Sequence, residues 1–582
     1  MYRLLRSASL LMLAAAVSPA AELPARYFQL MDAGARQVEA RLAAEPNPTL
    51  ESLEKRPGWT HFGYSILAPA VLYTKHHPAN PHYHDAHMLL LAIRIGDLLA
   101  SENEKGKFTP RLDSDWDTYT WLEAYRLLED VLGRDRSERW KKAILENTTP
   151  FAQDAAERFD FPWYESPYIG TSPNHYSQWA ELLYLAGTVF HKPEWVDLGA
   201  RILHRFAAVD QTVDGYWGEH SNAGPTIGYD HLTLSAVAVY WEFSHDPVAF
   251  EALRRSTDFH MHFTYPDGSV VETMNNRNRF WPVSPWAQFA FSNFRDGRGY
   301  AEFLSRFFDP AKLRMEDIGR LSQDALYYHE GETAAIPQER ESYSYRMSIP
   351  AGIRKTGPWV VSLSGIVETR AVNNQFYLDR QANLSVFHTK LGLIVSGANS
   401  KRQPELATFR EKLAGEVYNM PLSSRLQMND ARDRLSLAFN TFFSDLYVEP
   451  PSPRQVKLRF VINGKGRPPE EAFATLQLVL HPGETLETGA GRKITLGSDP
   501  VDLTPDAIGG SIRHHGWTLR VDPEARLVWP VYTYYPYGAG KPDHNLEHAV
   551  GALSVPLRLK SVPGHFVRPH EQEIDFTLES DE

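Results

Sequence analysis

Residues 170–181 read Gly-Thr-Ser-Pro-Asn174-His175-Tyr176-Ser-Gln-Trp-Ala-Glu. Thr171, Ser172 and Pro173 are residues that open helices. An amide, an imidazole and a phenol in the first turn add little to a core and nothing to capping, so they are candidates to face a ligand. A second cluster runs from Asp214 to His231 and crowds Trp217, Glu219, His220, Tyr229, Asp230 and His231 between Gly215, Gly218, Gly224 and Gly228. Loops of this kind on a rigid scaffold are where sites are built. A third stretch, Glu272 to Trp281, sets Arg277 and Arg279 among three asparagines, and arginine suits bidentate capture of a carboxylate. Further on, His388 lies in a strand-like run, and Asn399, Lys401 and Arg402 lie in a polar loop. Each has a plain structural alternative: Asp230 as a helix cap, Glu272 paired with an arginine, His388 packed in a core.

Other chemistries lack their motifs. The histidines from His76 to His87 crowd beside Asp85, but their spacing fits no zinc motif and the prolines make the stretch a loop leading into a helix. No cofactor is expected, and a structural zinc or calcium has no motif behind it. There is no phosphate-binding Gly-Lys-Ser loop, dinucleotide fingerprint, Gly-x-Ser-x-Gly elbow or His-Glu-x-x-His. The chain has no cysteine, which removes disulfides, thiolate metal sites and a cysteine nucleophile.

The elements that must carry these residues come in two kinds. From 21 to 310, apolar residues recur at three and four over segments of ten to twenty residues, as in TYTWLEAYRLLEDVLG and YSQWAELLYLAGTVF. Helices of this kind bury their stripes against one another in hairpins, which predicts an (α/α) toroid; the absence of a fixed-period repeat speaks against a solenoid. From 342 to 582 the runs are short, β-branched or aromatic, and end in turn residues, as in VKLRFVING and WTLRVDP, which predicts an antiparallel β-sandwich. Residues 311–341 read as the connection. The expected fold is therefore α+β multidomain, an incomplete toroid of helical hairpins followed by a sandwich. Residues 1–20, with Arg3 and Arg6 before a short apolar run and a Ser18-Pro19-Ala20 ending, read as a secretory signal peptide, and a secreted or periplasmic location is expected.

The net charge of −12 argues against general nucleic-acid binding, and no other stretch approaches membrane-spanning length, so no membrane insertion is expected. With 14 Trp and 27 Tyr, many beside His, Asn and Arg, the composition suits stacking on sugar faces. Nothing in it bears on oligomeric state.

The signal-like start, the helical half, the β half and the Asn-His pair opening SPNHYSQWAELLYLAG together resemble the heparinase II/III-like polysaccharide lyases, including the toroid alginate lyases. The resemblance implies that Asn174 and His175 neutralise a uronate carboxylate while Tyr229, in its Gly-rich loop, takes the C5 proton and returns one to the leaving oxygen. It implies His388, from the sandwich, as an alternative base on the opposite wall. His231, Glu219, Trp217, Arg277, Arg279, Lys401 and Arg402 are then expected to bind an acidic polysaccharide or oligosaccharide. Two rivals stand beside this reading. A glycoside hydrolase on the same toroid would use a carboxyl pair drawn from Asp230, Glu219 and Glu272. A non-catalytic glycan-binding protein would use the aromatics alone.

Overall fold

The computed structural model describes residues 22–108, 115–158, 173–218, 224–275, 286–367, 380–398, 402–413, 418–419, 421–534, 544–560 and 572–582. The first half is helical: α1 Glu22–Ala44, α2 Leu50–Glu54, α3 Leu67–Thr74, α4 Ala86–Glu104, α5 Asp115–Leu132, α6 Arg134–Arg158, α7 Pro173–Phe190, α8 Pro193–Arg205, α9 Ile227–Ser244, α10 Pro247–His262, α11 Gln288–Phe291, α12 Arg295–Ser305 and α13 Met315–Tyr327. Helix starts follow local chemistry. Asp85 caps α4 by accepting from the His87 N–H (2.9 Å), and Asp246 caps α10 from Val248 N–H (2.9 Å), with Pro247 in its first turn.

Consecutive helices pair as hairpins, α3 with α4, α5 with α6, α7 with α8 and α9 with α10. Helices α5, α7, α9 and α13 are buried on nearly every side, whereas α8, α10 and α12 bury one stripe. A helix apolar all round must have neighbours all round, so the first group forms the inner ring and the second the outer. Helix α13 lies within residues 311–341, the expected connection, and instead closes the ring onto α1. A Cβ on Gly34 would come within 2.8 Å of Ile318. Gln37 donates to the Pro310 carbonyl (2.9 Å) just before α13 begins.

The second half is a sandwich. In one sheet β1 Ser342–Arg346, β2 Ala351–Thr356, β3 Trp359–Ser364, β4 Asn383–His388 and β5 Gly392–Ser396 lie side by side, followed by Glu471–Leu478, Val550–Pro556, Arg526–Val531 and Val501–Leu503. The facing sheet is built around Gln455–Gly464 and Gln572–Ser580, and the strand pairings are antiparallel. Phe409, Phe460, Phe576, Trp359 and Trp517 are among the buried residues of the core between them. Among the described residues no helix is long and apolar enough to cross a membrane.

The β1–β4 face of the sandwich packs on the toroid. Thr273 and Ser362 share a hydrogen bond (2.6 Å), as do Tyr265 and Ser385 (2.7 Å). The Tyr265 ring stacks on Phe387, centroids 4.6 Å apart. Asp214 accepts from the backbone N–H (2.8 Å) and hydroxyl (2.5 Å) of Ser348.

Candidate active site

A buried polar layer sets the height of the inner helices. Ser235 donates to the Gln323 carbonyl oxygen (2.8 Å), and the Gln323 amide donates to Glu181 (3.0 Å) and to the Tyr119 hydroxyl (3.0 Å). Glu181, Ser235 and Gln323 each stand at the same count from the first residue of α7, α9 and α13. Those three N-termini therefore finish at one level and form one mouth. Each contributes the positive end of its dipole, a setting that favours an anion.

Asn174 and Tyr229 lie at that mouth. One turn deeper, the Ser177 hydroxyl donates to Thr233 (3.3 Å), joining α7 to α9. Asn174 precedes Ser177 by three residues and Tyr229 precedes Thr233 by four, the spacings that put side chains on one helix face. The two residues thus sit on the facing sides of adjacent helices, one turn above the contact. His175 follows on α7. Asn174 is buried, and His175 and Tyr229 are half-buried.

The loop residues around Tyr229 are used structurally. Asp230 is buried and accepts from the Trp217 N–H (2.6 Å) and from His260 Nε2 (2.7 Å). His260 stacks on His231 with centroids 4.0 Å apart, and burial holds both imidazoles below their usual range, toward neutral. His231, expected to bind substrate, is buried and also meets the Phe291 ring, centroids 6.0 Å apart. Trp217, expected to stack on sugar, is buried, and its indole N–H donates to the Phe206 carbonyl (2.9 Å). It is a core residue because the backbone of its loop is pinned to Asp230.

On the sandwich side the pleat decides which residues face the toroid. Ser362 and Ser385 are directly opposed, and both meet the toroid. Since alternate residues of a strand share a face, Asn383, Ser385 and Phe387 look toward the helices. Leu384, Val386 and His388 look into the sandwich. His388 is buried edge-on against Trp359, centroids 4.6 Å apart, and its Nδ1 accepts from the N–H groups of Lys390 and Leu391 (both 3.3 Å). The expected alternative base is thus set apart from Asn174, His175 and Tyr229 by strand parity. From the sandwich side Ile366 and Gln381 approach the Tyr229 loop, at 3.3 Å and 3.8 Å from a Cβ on Gly224. Asn383, buried on the same face with an unpartnered Oδ1, follows Gln381.

Glu272 is sealed in the junction, accepting from Gly397 N–H (2.9 Å) and the Tyr265 hydroxyl (3.0 Å), and burial pushes its carboxyl up to about 7. Arg402 is exposed and lies over the Tyr534 ring at 6.0 Å. Glu219, Arg277, Arg279 and Lys401 lie outside the described residues. The chain enters the arginine stretch from Asn275, which pairs with Thr226 in a bridge at the start of α9. In the His76–His87 stretch, His82 is held between Asp85 (2.9 Å) and Asp32 (3.1 Å). Among the described residues no group of three or more His, Asp or Glu is arranged to hold a metal ion.

Two features of the mouth go unnoticed in a motif-based reading. Arg320 of α13 lies buried with its guanidinium carbon 3.4 Å from the centroid of Trp116 on α5. His61 faces Asp117 (2.9 Å), and that hydrogen bond raises the imidazole to about 9. The signal for Arg320 was a face of α13 carrying Gly319, Arg320, Gln323 and Asp324, polar residues at helical spacing on the side that is buried.

No protein-family model matches the sequence, and no curated protein matches it. Among solved structures, the Streptomyces coelicolor A3 chondroitin AC lyase in complex with chondroitin sulphate superimposes with a TM-score of 0.52 at 12% identity, covering 97% of this chain and 83% of that one. The chain has a polysaccharide-lyase fold. A heparan sulfate lyase from Pedobacter heparinus gives a TM-score of 0.46 at 12% identity over 89% of this chain and 76% of that one. An unsaturated glucuronyl hydrolase specific for heparin gives 0.37 at 13% identity over 52% of this chain and 96% of that one. At these identities the likeness is one of fold, the lyase toroid and sandwich, and residue roles rest on the chain's own geometry.

Proposed function

We propose that the protein is a polysaccharide lyase that cleaves a uronic-acid-containing polysaccharide or oligosaccharide by β-elimination. The observation that carries this reading is the placement of Asn174 and Tyr229 on facing sides of α7 and α9 at the common mouth, with His175 beside them. Elimination removes the C5 proton of a uronate and expels the oxygen at C4. Abstraction puts more charge onto an already anionic group, so the carboxylate must be hydrogen-bonded as the enediolate develops. Asn174 and His175, at the N-terminus of a long helix, are suited to this. Tyr229, one helix away and entering as the phenolate, takes the C5 proton to become the phenol and then gives that proton to the departing oxygen, so that one group serves both steps. The reaction needs no cofactor. Residues 1–20 would direct the enzyme out of the cytoplasm, where such polymers are met.

The hydrolase reading has less support. It requires a carboxyl pair open to substrate and water. Asp230 is saturated by Trp217 and His260, and Glu272 is closed off by Gly397 and Tyr265.

The test is incubation with a panel of uronate polymers, reading the ultraviolet absorbance of the C4–C5 double bond. The wild type should generate it, and Tyr229→Phe should lower kcat by about 10²–10⁴-fold, the range for loss of a general acid–base. New reducing ends without absorbance would establish hydrolysis. A folded Tyr229→Phe protein with full elimination activity would overturn the role of Tyr229.

A further inference from the structure

Arg320 occupies the sixth position of α13. The residue is 1% exposed. Nη1 donates to the Ser235 hydroxyl (3.2 Å), Nε is buried with no hydrogen-bond partner, and one face of the guanidinium is covered by Trp116 at 3.4 Å. Among the described residues no carboxylate forms an ion pair with it.

A guanidinium keeps its proton in any protein environment, and a buried charge without a counter-charge costs several kcal/mol. Glu181, Glu316 and Asp324 lie near enough to feel its charge, but none is in ion-pair contact with it. Burial drives Glu181 up to about 7 and raises Glu316 and Asp324 as well, so each carries less negative charge than an exposed carboxyl would. Glu181 is also occupied with Gln323 and the Trp116 indole N–H (3.3 Å). The guanidinium thus keeps donor capacity beneath the mouth, with its Nε unpartnered. Its contact on α9, Ser235, lies six residues beyond Tyr229, about 9 Å along the helix. That is too deep to meet the carboxylate hydrogen-bonded at Asn174 without a second group reaching down.

We infer that Arg320, backed by Trp116, is a second anion-binding position, which takes a carboxylate or sulfate ester on the sugar residue that enters the toroid beyond the one being cleaved. The assignment of a sugar as the bearer of that group rests on the lyase reading; the anion site itself does not. Its consequence is a preference for substrates charged on consecutive residues, with the inner charge neutralised by a planar, stacked guanidinium.

The experiment uses the full chain and small anions, so that it does not depend on elimination. Hydrogen exchange is followed in sodium sulfate, sodium glucuronate and glucose, each against sodium chloride at matched ionic strength. Peptides from the second sheet of the sandwich report the general stabilisation by salt. Either anion should slow exchange in α13 and the first turns of α5 by more than it slows those sandwich peptides, and glucose should not. Protection by sulfate alone assigns a sulfate ester, and by glucuronate alone a carboxylate. Arg320→Met should weaken the effect about tenfold or more, and Arg320→Lys should retain most of it. Absence of local protection in the wild type overturns the inference, whatever becomes of the variants, and so does undiminished protection in a folded Arg320→Met protein. Local protection without elimination on any polymer would leave the anion site standing and remove the lyase reading.

Discussion

Glu272 lies where toroid and sandwich meet, and its replacement by glutamine tests whether the junction holds a protonated carboxyl. Burial raises the group from an ordinary 4.5 to about 7. In the unfolded chain it ionises near its ordinary value. Between those two pH values the native protein therefore binds more protons than the unfolded one, and stability falls as pH rises. The gap corresponds to about 3 kcal/mol lost between pH 4.5 and pH 8. Glutamine is neutral throughout. Its carbonyl oxygen can accept from Gly397, and its amide can donate to the Tyr265 oxygen once the Tyr265 proton turns to Ser385, 2.7 Å away. Urea unfolding followed by tryptophan fluorescence should show Glu272→Gln gaining about 3 kcal/mol on the wild type as pH goes from 4.5 to 8. Elimination by the folded variant should be unchanged. A stability difference that stays constant across that range would refute the protonated junction, and loss of elimination with an intact fold would place Glu272 in the reaction.

Asn174→Ala should lower kcat by about 10²–10³-fold without unfolding the protein, the loss expected for one donor to a developing oxyanion, and steady-state elimination kinetics checks it. His61, raised to about 9 by Asp117, contributes stability that is complete below its unfolded value near 6.5 and is lost as pH rises through about 9. Asp117→Asn should flatten that part of a melting-temperature profile. His388→Gln should lower the melting temperature through lost packing on Trp359 and leave kcat of the folded protein unchanged, whereas a specific loss of kcat would return His388 to the site.

The two-part architecture is legible because helix and strand impose different periods, and long stretches keep one or the other. Asn174 and Tyr229 stand out because their types conflict with the roles a first helical turn needs filled. His388 could not be placed the same way. The run Asn-Leu-Ser-Val-Phe-His is buried at all six positions, so neither face meets solvent, and each carries one residue, Phe387 or His388, that breaks its polar or apolar character. Only the pairing of Ser362 with Ser385 settles which side His388 faces. Trp217 was ambiguous for another reason: an indole suits a sugar platform and a core equally, and its burial follows from the distant Phe206 carbonyl and Asp230. Arg320 and α13 were missed together, since a helix whose buried face carries an arginine, a glutamine and an aspartate reads as surface until a polar layer is found inside the ring.

The closure of α13 on α1 bears on how the chain reaches its native state. Helix α3 packs on the first helix early, but its other main partner is made roughly three hundred residues later, so part of the apolar stripe of α1 stays uncovered while the intervening hairpins form. Contacts of such long sequence separation are reached slowly, and exposed stripes invite association between chains in the meantime. Truncation before Met315 should therefore leave an open ring that binds chaperones or aggregates rather than a smaller stable domain.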